Sequence, residues 1–117
     1  MSKDIKKCVL CGMCKGACPV LKILLEETQG PRGRAILIKN NFLEKEAIYN
    51  CTLCKACEFS CPAKINLSEI IIKAREELVK KGNETKANKK MIENIRKYGN
   101  PYGKIKKGEI PKELYCC

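Results

Sequence analysis

Ten of the 117 residues are cysteines, and eight of them fall in two copies of one pattern. Cys8, Cys11, Cys14 and Cys18-Pro19 recur as Cys51, Cys54, Cys57 and Cys61-Pro62, offset by 43 residues with no slippage at any position. Such cysteine density points to disulfides, zinc or iron-sulfur clusters. Structural zinc usually takes two C-x2-C pairs or Cys/His mixtures. Here each motif carries three evenly spaced cysteines and a fourth, and the chain has no histidine. The lack of histidine also excludes His-ligated haem and a Rieske centre. A cubane needs four thiolates at the corners of a tetrahedron of irons. Three cysteines spaced by two residues can wrap one part of that cube, with backbone amides turned toward its sulfides. The spacing therefore predicts two [4Fe-4S] clusters.

The fourth thiolate of each cluster must arrive from another direction. In two-cluster proteins with this spacing it comes from the opposite motif. Applied here, that general rule assigns Cys8, Cys11, Cys14 and Cys61 to the first cluster and Cys51, Cys54, Cys57 and Cys18 to the second. Pro19 and Pro62 are expected to stop each loop from continuing as helix and to lay an apolar ring over the site. Pro31-Arg32-Gly33-Arg34 lies between the motifs. It reads either as a helix start, with Gly33 permitting an unusual turn, or as two cations near a cluster, where they would raise its potential. The remaining doublet, Cys116-Cys117, is either a free terminus, a ligand pair for a further metal centre, or a redox thiol pair.

The formal charge is +11, from 24 Lys plus Arg against 13 Asp plus Glu. Eight thiolates and two oxidised cluster cores would bring it to about +7. A basic surface steers acidic partners. Only four of the cations are arginine, the residue suited to planar phosphate and base recognition, and the aromatics are not interleaved with them. A lysine-rich solvated face is thus the expected reading, without nucleic acid as a partner. Residues 1–7 contain no apolar core of a signal peptide. The longest apolar stretches, Ile23-Leu24-Leu25 and Ile70-Ile71-Ile72, fall far short of a membrane span. A cytoplasmic location is expected, and a reducing compartment argues against a disulfide framework.

Helices are expected to position the motifs. Valine and threonine number three each, so material for strands is thin apart from isoleucine. A short helix is expected over residues 20–27, broken by Gly30-Pro31. A second is expected from Arg34 to Phe42, and a third over 44–49, leading into the second motif. The clearest follows Asn66, an N-cap with Glu69 three residues on. Leu67, Ile70, Ile71, Ala74 and Leu78 share its apolar face. Glu69–Lys73, Glu76–Lys80 and Glu77–Lys81 are spaced for ion pairs, and Gly82 can end the helix. A last helix is expected over 84–98, with Ala87, Met91, Ile95 and Tyr98 on one face. Residues 1–100 read as a dicluster domain and 101–117 as an extended tail or docking arm.

Several stretches resemble the dicluster module of the C-type iron-sulfur subunit of heterodisulfide reductase. Similar modules open the iron-sulfur subunits of glycolate oxidase, anaerobic glycerol-3-phosphate dehydrogenase and lactate-utilisation proteins. The matching residues are Cys8 to Val20, Gly30-Pro31-Arg32-Gly33-Arg34-Ala35, Cys51-Thr52-Leu53-Cys54-Lys55-Ala56-Cys57, Cys61-Pro62, Ala74-Arg75-Glu76 and Asn100-Pro101-Tyr102-Gly103. The resemblance implies an all-α fold of the alpha-helical ferredoxin type with two [4Fe-4S] loops. It also implies a place in a multi-subunit redox complex, relaying electrons between a flavoprotein or ferredoxin and a catalytic subunit built on CCG domains. The larger relatives continue past the Asn-Pro-Tyr-Gly segment into such domains. The doublet Cys116-Cys117 lacks the glycine and distant cysteines of a CCG site, so substrate chemistry is not carried over. The expected role is a non-catalytic electron-transfer subunit. The alternatives are a free two-cluster ferredoxin with strands flanking its motifs, a thiol-disulfide reductase using Cys116 and Cys117, and a metal-clipped nucleic-acid binder.

Overall fold

A computed structural model describes residues 3–111. Cys116 and Cys117, and the roles considered for them, lie outside the described residues. The secondary structure is helical, with no strand among the described residues. The strands that a free ferredoxin would place beside its motifs are therefore not found there. Six α-helices follow in order: α1 Pro19–Leu24, α2 Pro31–Lys39, α3 Lys45–Tyr49, α4 Ala56–Phe59, α5 Leu67–Lys80 and α6 Lys86–Tyr98. Short 3-10 turns cover Lys3–Lys7, Met13–Lys15 and Glu27–Gln29.

Two of the three prolines expected to act as breakers instead open helices. Pro19 is the first residue of α1 and Pro31 the first of α2, three residues ahead of the start expected at Arg34. Proline suits that position because its missing N–H has no intrahelical acceptor there. α1 is shorter than expected and ends at Leu25, which adopts a left-handed conformation (φ 57°). α3 begins one residue late because Glu44 is its cap, accepting from the N–H groups of Glu46 (3.2 Å) and Ala47 (2.6 Å).

The chain forms two compact units, Met1–Asn83 and Glu84–Cys117. In the first, α5 is the central column. Leu67, Ile70, Ile71, Ala74 and Leu78 are all buried, as their spacing predicts. They pack with Ile5, Ala35, Ile38, Ile48, Tyr49 and Ile65. Cys8, Cys51, Cys57 and Cys61 lie against this core. The Asn66 side chain accepts from the Glu69 N–H at 3.4 Å and donates back to the Glu69 carboxylate at 3.1 Å. Glu69 also pairs with Lys73 at 2.9 Å. At the other end Gly82 is left-handed (φ 68°), and the Asn83 N–H reaches back to Leu78 O at 2.8 Å, a helix-closing turn.

In the second unit, α6 is capped by Thr85 and ended by Gly99 in the left-handed conformation. The stripe of Ala87, Met91, Ile95 and Tyr98 is not buried, although its spacing suits a packed face. The described part of the expected tail is not extended. Asn94 donates to Pro101 O (2.9 Å), Asn100 donates to Gly103 O (3.0 Å), and Gly103 is buried at φ 84°. These bonds fold residues 100–103 into turns beside α6.

Candidate metal centre

The two cysteine loops share a backbone shape that neither sequence advertises. Leu10, before Cys11, and Leu53, before Cys54, are both left-handed, at φ 59° and 56°. Gly12 and Lys55, just after those cysteines, are left-handed too, at φ 86° and 62°. A non-glycine residue held there costs about 1–3 kcal/mol and persists where the surroundings over-determine it. Alternation of left- and right-handed residues turns successive N–H groups to one side, the concave arrangement that receives anions. The third cysteine of each loop sits on a short helical turn: Cys14 on Met13–Lys15 and Cys57 on α4. These two turns pack against each other. α4 was not expected from the sequence, since four residues are too few for periodicity to show.

Two hollows open on this arrangement. Cys8, Cys11, Cys14 and Cys61 line the first, with Pro31, Arg32, Pro62 and Leu67. Cys18, Cys51, Cys54 and Cys57 line the second, with Pro31, Arg34 and Leu67. Cys57 also borders the first, so one thiol stands in the wall between them. None of the eight is in a disulfide. Among the described residues no three His, Cys, Asp or Glu side chains converge on a single ion. A cubane does not ask them to, because each thiolate binds a different iron.

The electrostatics suit a cationic core. Burial, chiefly, pushes the Cys14 thiol up, and the neighbouring Cys8, Cys61 and Cys11 add to it. Burial pushes Cys57 up to about 12, helped by Cys51, Glu58, Cys14 and Cys54. Such crowded thiols keep their protons unless metal displaces them. Cys18 caps α1, its Sγ accepting from the Leu21 N–H at 3.5 Å. The lining is thus sulfur with apolar side chains and a few cations, and it fits an anionic iron-sulfur group.

The surrounding residues hold the loops. Glu27 accepts from Lys15 (2.6 Å) and Arg32 (2.7 Å), and these cations hold its carboxyl below the usual range. Arg75 of α5 donates to Ile48 O (3.2 Å), Tyr49 O (3.1 Å) and Cys51 O (2.5 Å), fixing the approach to the second motif. Lys39 donates to Cys8 O at 2.9 Å, and Glu58 accepts from the Ser68 N–H at 2.5 Å, tying α4 to the start of α5. Gly33 lets α2 lie directly on the Glu27–Gln29 turn, where a Cβ would strike the backbone of Glu27 and Thr28. The spacing of Pro31-Arg32-Gly33-Arg34 thereby sends Arg32 to the first hollow and Arg34 to the second. The segment starts a helix, with Gly33 inside it making a close backbone contact rather than an unusual turn, and it places Arg32 and Arg34 beside the cysteine-lined hollows.

Residues 4–65 match the family model of the 4Fe-4S dicluster domain. The C2 iron-sulfur subunit of the CoB–CoM heterodisulfide reductase of Methanocaldococcus jannaschii is 31% identical over 98 residues, which is 84% of this chain and 53% of that protein. The C2 subunit of the H2/formate:CoB-CoM heterodisulfide,ferredoxin reductase of Methanococcus maripaludis is 31% identical over 97 residues, 83% of this chain and 53% of that protein. The glycolate oxidase iron-sulfur subunit of Escherichia coli is 32% identical over 74 residues, 57% of this chain but 18% of that protein. The chain spans about half the length of the heterodisulfide reductase relatives it matches. No described helix is long and apolar enough to cross a membrane. With its doubled cysteine loop, its helical frame and its similarity to the C-type subunits of heterodisulfide reductase, the chain belongs to the 4Fe-4S dicluster domain family and carries two [4Fe-4S] clusters.

Proposed function

We propose that this protein is an electron-transfer subunit of a multi-subunit oxidoreductase, similar to the C-type iron-sulfur subunit of heterodisulfide reductase. It relays electrons between a flavoprotein or ferredoxin and a catalytic subunit built on CCG domains. Each bound cluster supplies reversible one-electron exchange and no substrate chemistry. Cys8, Cys11, Cys14 and Cys61 hold the first cluster, and Cys51, Cys54, Cys57 and Cys18 the second. One observation carries this reading: each crossed tetrad lines one hollow, and the two hollows share Cys57. Neighbouring clusters with a common wall make a relay rather than two separate stores. The protein's own part is to fix the thiolates, exclude water with the buried Pro31 and Leu67, and set local charge with Arg32 and Arg34.

Anaerobic affinity purification from the native cell tests the partners: recovery with a flavoprotein or CCG-domain subunit is expected, and recovery as a lone monomer would count against a subunit role. The ligand sets are tested by single Cys→Ser variants followed by electron paramagnetic resonance. Cys61→Ser should disturb the same cluster signal as Cys11→Ser, and Cys18→Ser the same signal as Cys54→Ser. The reverse grouping, or a colourless protein holding zinc, would overturn the assignment.

A further inference from the structure

Arg34 stands apart among the chain's cations. It is 2% exposed, the bulkiest of the fully buried side chains among the described residues. Its Nε donates to Ala47 O at 2.6 Å, but its Nη2, also buried, has no hydrogen-bond partner among the described residues. A buried guanidinium is costly unless charge and hydrogen bonds compensate it. None of the ion pairs found among the described residues involves Arg34. The side chain lines the second hollow beside Cys18, Cys51, Cys54 and Cys57. A four-iron cluster with four thiolates carries a net charge of about −2 when oxidised and about −3 when reduced. A cluster held in that hollow would supply a counter-charge, and its sulfur atoms would be available as acceptors for the guanidinium.

The first hollow is treated differently. Arg32 lines it, but its side chain is one-third exposed and is bonded to Glu27, which also takes Lys15. The net positive charge of that trio lies at the surface, where water and salt screen it. At the second hollow, Lys55 is exposed and similarly screened. Glu58 acts on Cys57, the thiol bordering both hollows, so it does not separate the two.

We propose that Arg34 is the potential-setting residue of the second cluster, its buried guanidinium, which has no carboxylate partner among the ion pairs of the described residues, making that cluster the easier of the two to reduce. Arg34 favours the form carrying one more negative charge, and its effect is not shared with a carboxylate. An electron arriving at the first cluster therefore passes to the second, which gains the negative charge that the first gives up. The Cys18/Cys51/Cys54/Cys57 side is the exit of the relay. This inference rests on the ligand sets proposed above.

A redox titration of the intact chain, followed by electron paramagnetic resonance, tests it. The signal altered by Cys54→Ser identifies the second cluster, which should be reduced first in the native protein. Arg34→Gln should change its reduced-to-oxidised ratio at fixed potential at least tenfold, a downward shift of about 59 mV or more for one electron, and should move the first cluster less. Arg34→Lys keeps the charge and should retain most of the native value. Arg32→Gln should produce a smaller shift, confined to the first cluster and suppressed by salt. If Arg34→Gln holds its full iron and neither midpoint moves, or both move equally, the inference is wrong. If that variant does not hold iron, the native order decides: reduction of the first cluster ahead of the second overturns the inference. A native protein with far fewer than about eight irons would instead sink the two-cluster ligand assignment, whatever Arg34 does.

Discussion

Gly33→Ala isolates the contact on which the arginine segment depends. A Cβ built at Gly33 lies 2.6 Å from the carbonyl carbon of Glu27 and 2.8 Å from Thr28 Cα, and closer still to the Glu27 carbonyl oxygen. Carbon atoms in contact rest at about 3.5–4.0 Å, so the overlap approaches an ångström. All three obstacles are backbone, and no side-chain rotation relieves them. Overpacking of this kind costs about 1–3 kcal/mol, sometimes more, and a backbone obstacle puts this site at or above the upper end. Alanine returns about 1 kcal/mol through its better helix propensity. The net loss should be about 2 kcal/mol or more, which for a unit of 83 residues lowers Tm by roughly 10 °C. Gly16→Ala is the matched control, because Gly16 has ordinary helical angles and nothing within 4 Å of its added Cβ. It should be neutral or stabilising by about 0.4–1 kcal/mol. Both variants are heated anaerobically, with helicity and visible cluster absorbance read together. Half-lives at fixed temperature accompany Tm, since cluster loss is irreversible. A Gly33→Ala protein as durable as Gly16→Ala would refute the close packing of α2 on the Glu27–Gln29 turn.

Two further outcomes follow from named contacts. Glu27 is held ionised by Lys15 and Arg32, so its folded pKa lies below its unfolded one. Its contribution to stability is full above the ordinary glutamate range and is lost as pH falls through the depressed value. Glu27→Gln should be the less stable protein at neutral pH and converge on the native one in acid, measured by denaturant midpoint across pH. Ile71 is fully buried at the centre of α5. Ile71→Ala should cost about 2–5 kcal/mol in equilibrium unfolding, while the exposed Ile23→Ala should change little.

The sequence made some of this plain and hid the rest for physical reasons. Cysteine spacing is a covalent pattern read directly, and the members of each proposed tetrad lie along one hollow, with Cys57 bordering both. α5 was legible because its signals are local: an Asn cap, a five-residue apolar face, a closing glycine. Pro31 misled because proline both breaks and begins helices, and only the residues after it decide which. The left-handed Leu10 and Leu53 defy intrinsic preference, which never selects leucine for that geometry. A place near a cluster is one of two readings the sequence allows for Arg34, but its burial is not foreseeable, since arginine is ordinarily a surface residue. Gly33 was read as a turn glycine, whereas its role is to let two backbones touch. α6 carries a regular stripe that remains uncovered, because periodicity states what a helix can bury and not what lies beside it.

Pro31, Cys57 and Leu67 form a partition common to both hollows. Under the proposed ligand sets, thiolates are drawn crosswise over that partition, so loss of iron from one chamber should loosen the other. Oxygen attack that strips iron from one frees a ligand loop still anchored to the other, and dismantling should spread from chamber to chamber. Half-loaded chains of the native sequence should then be scarce during both assembly and decay.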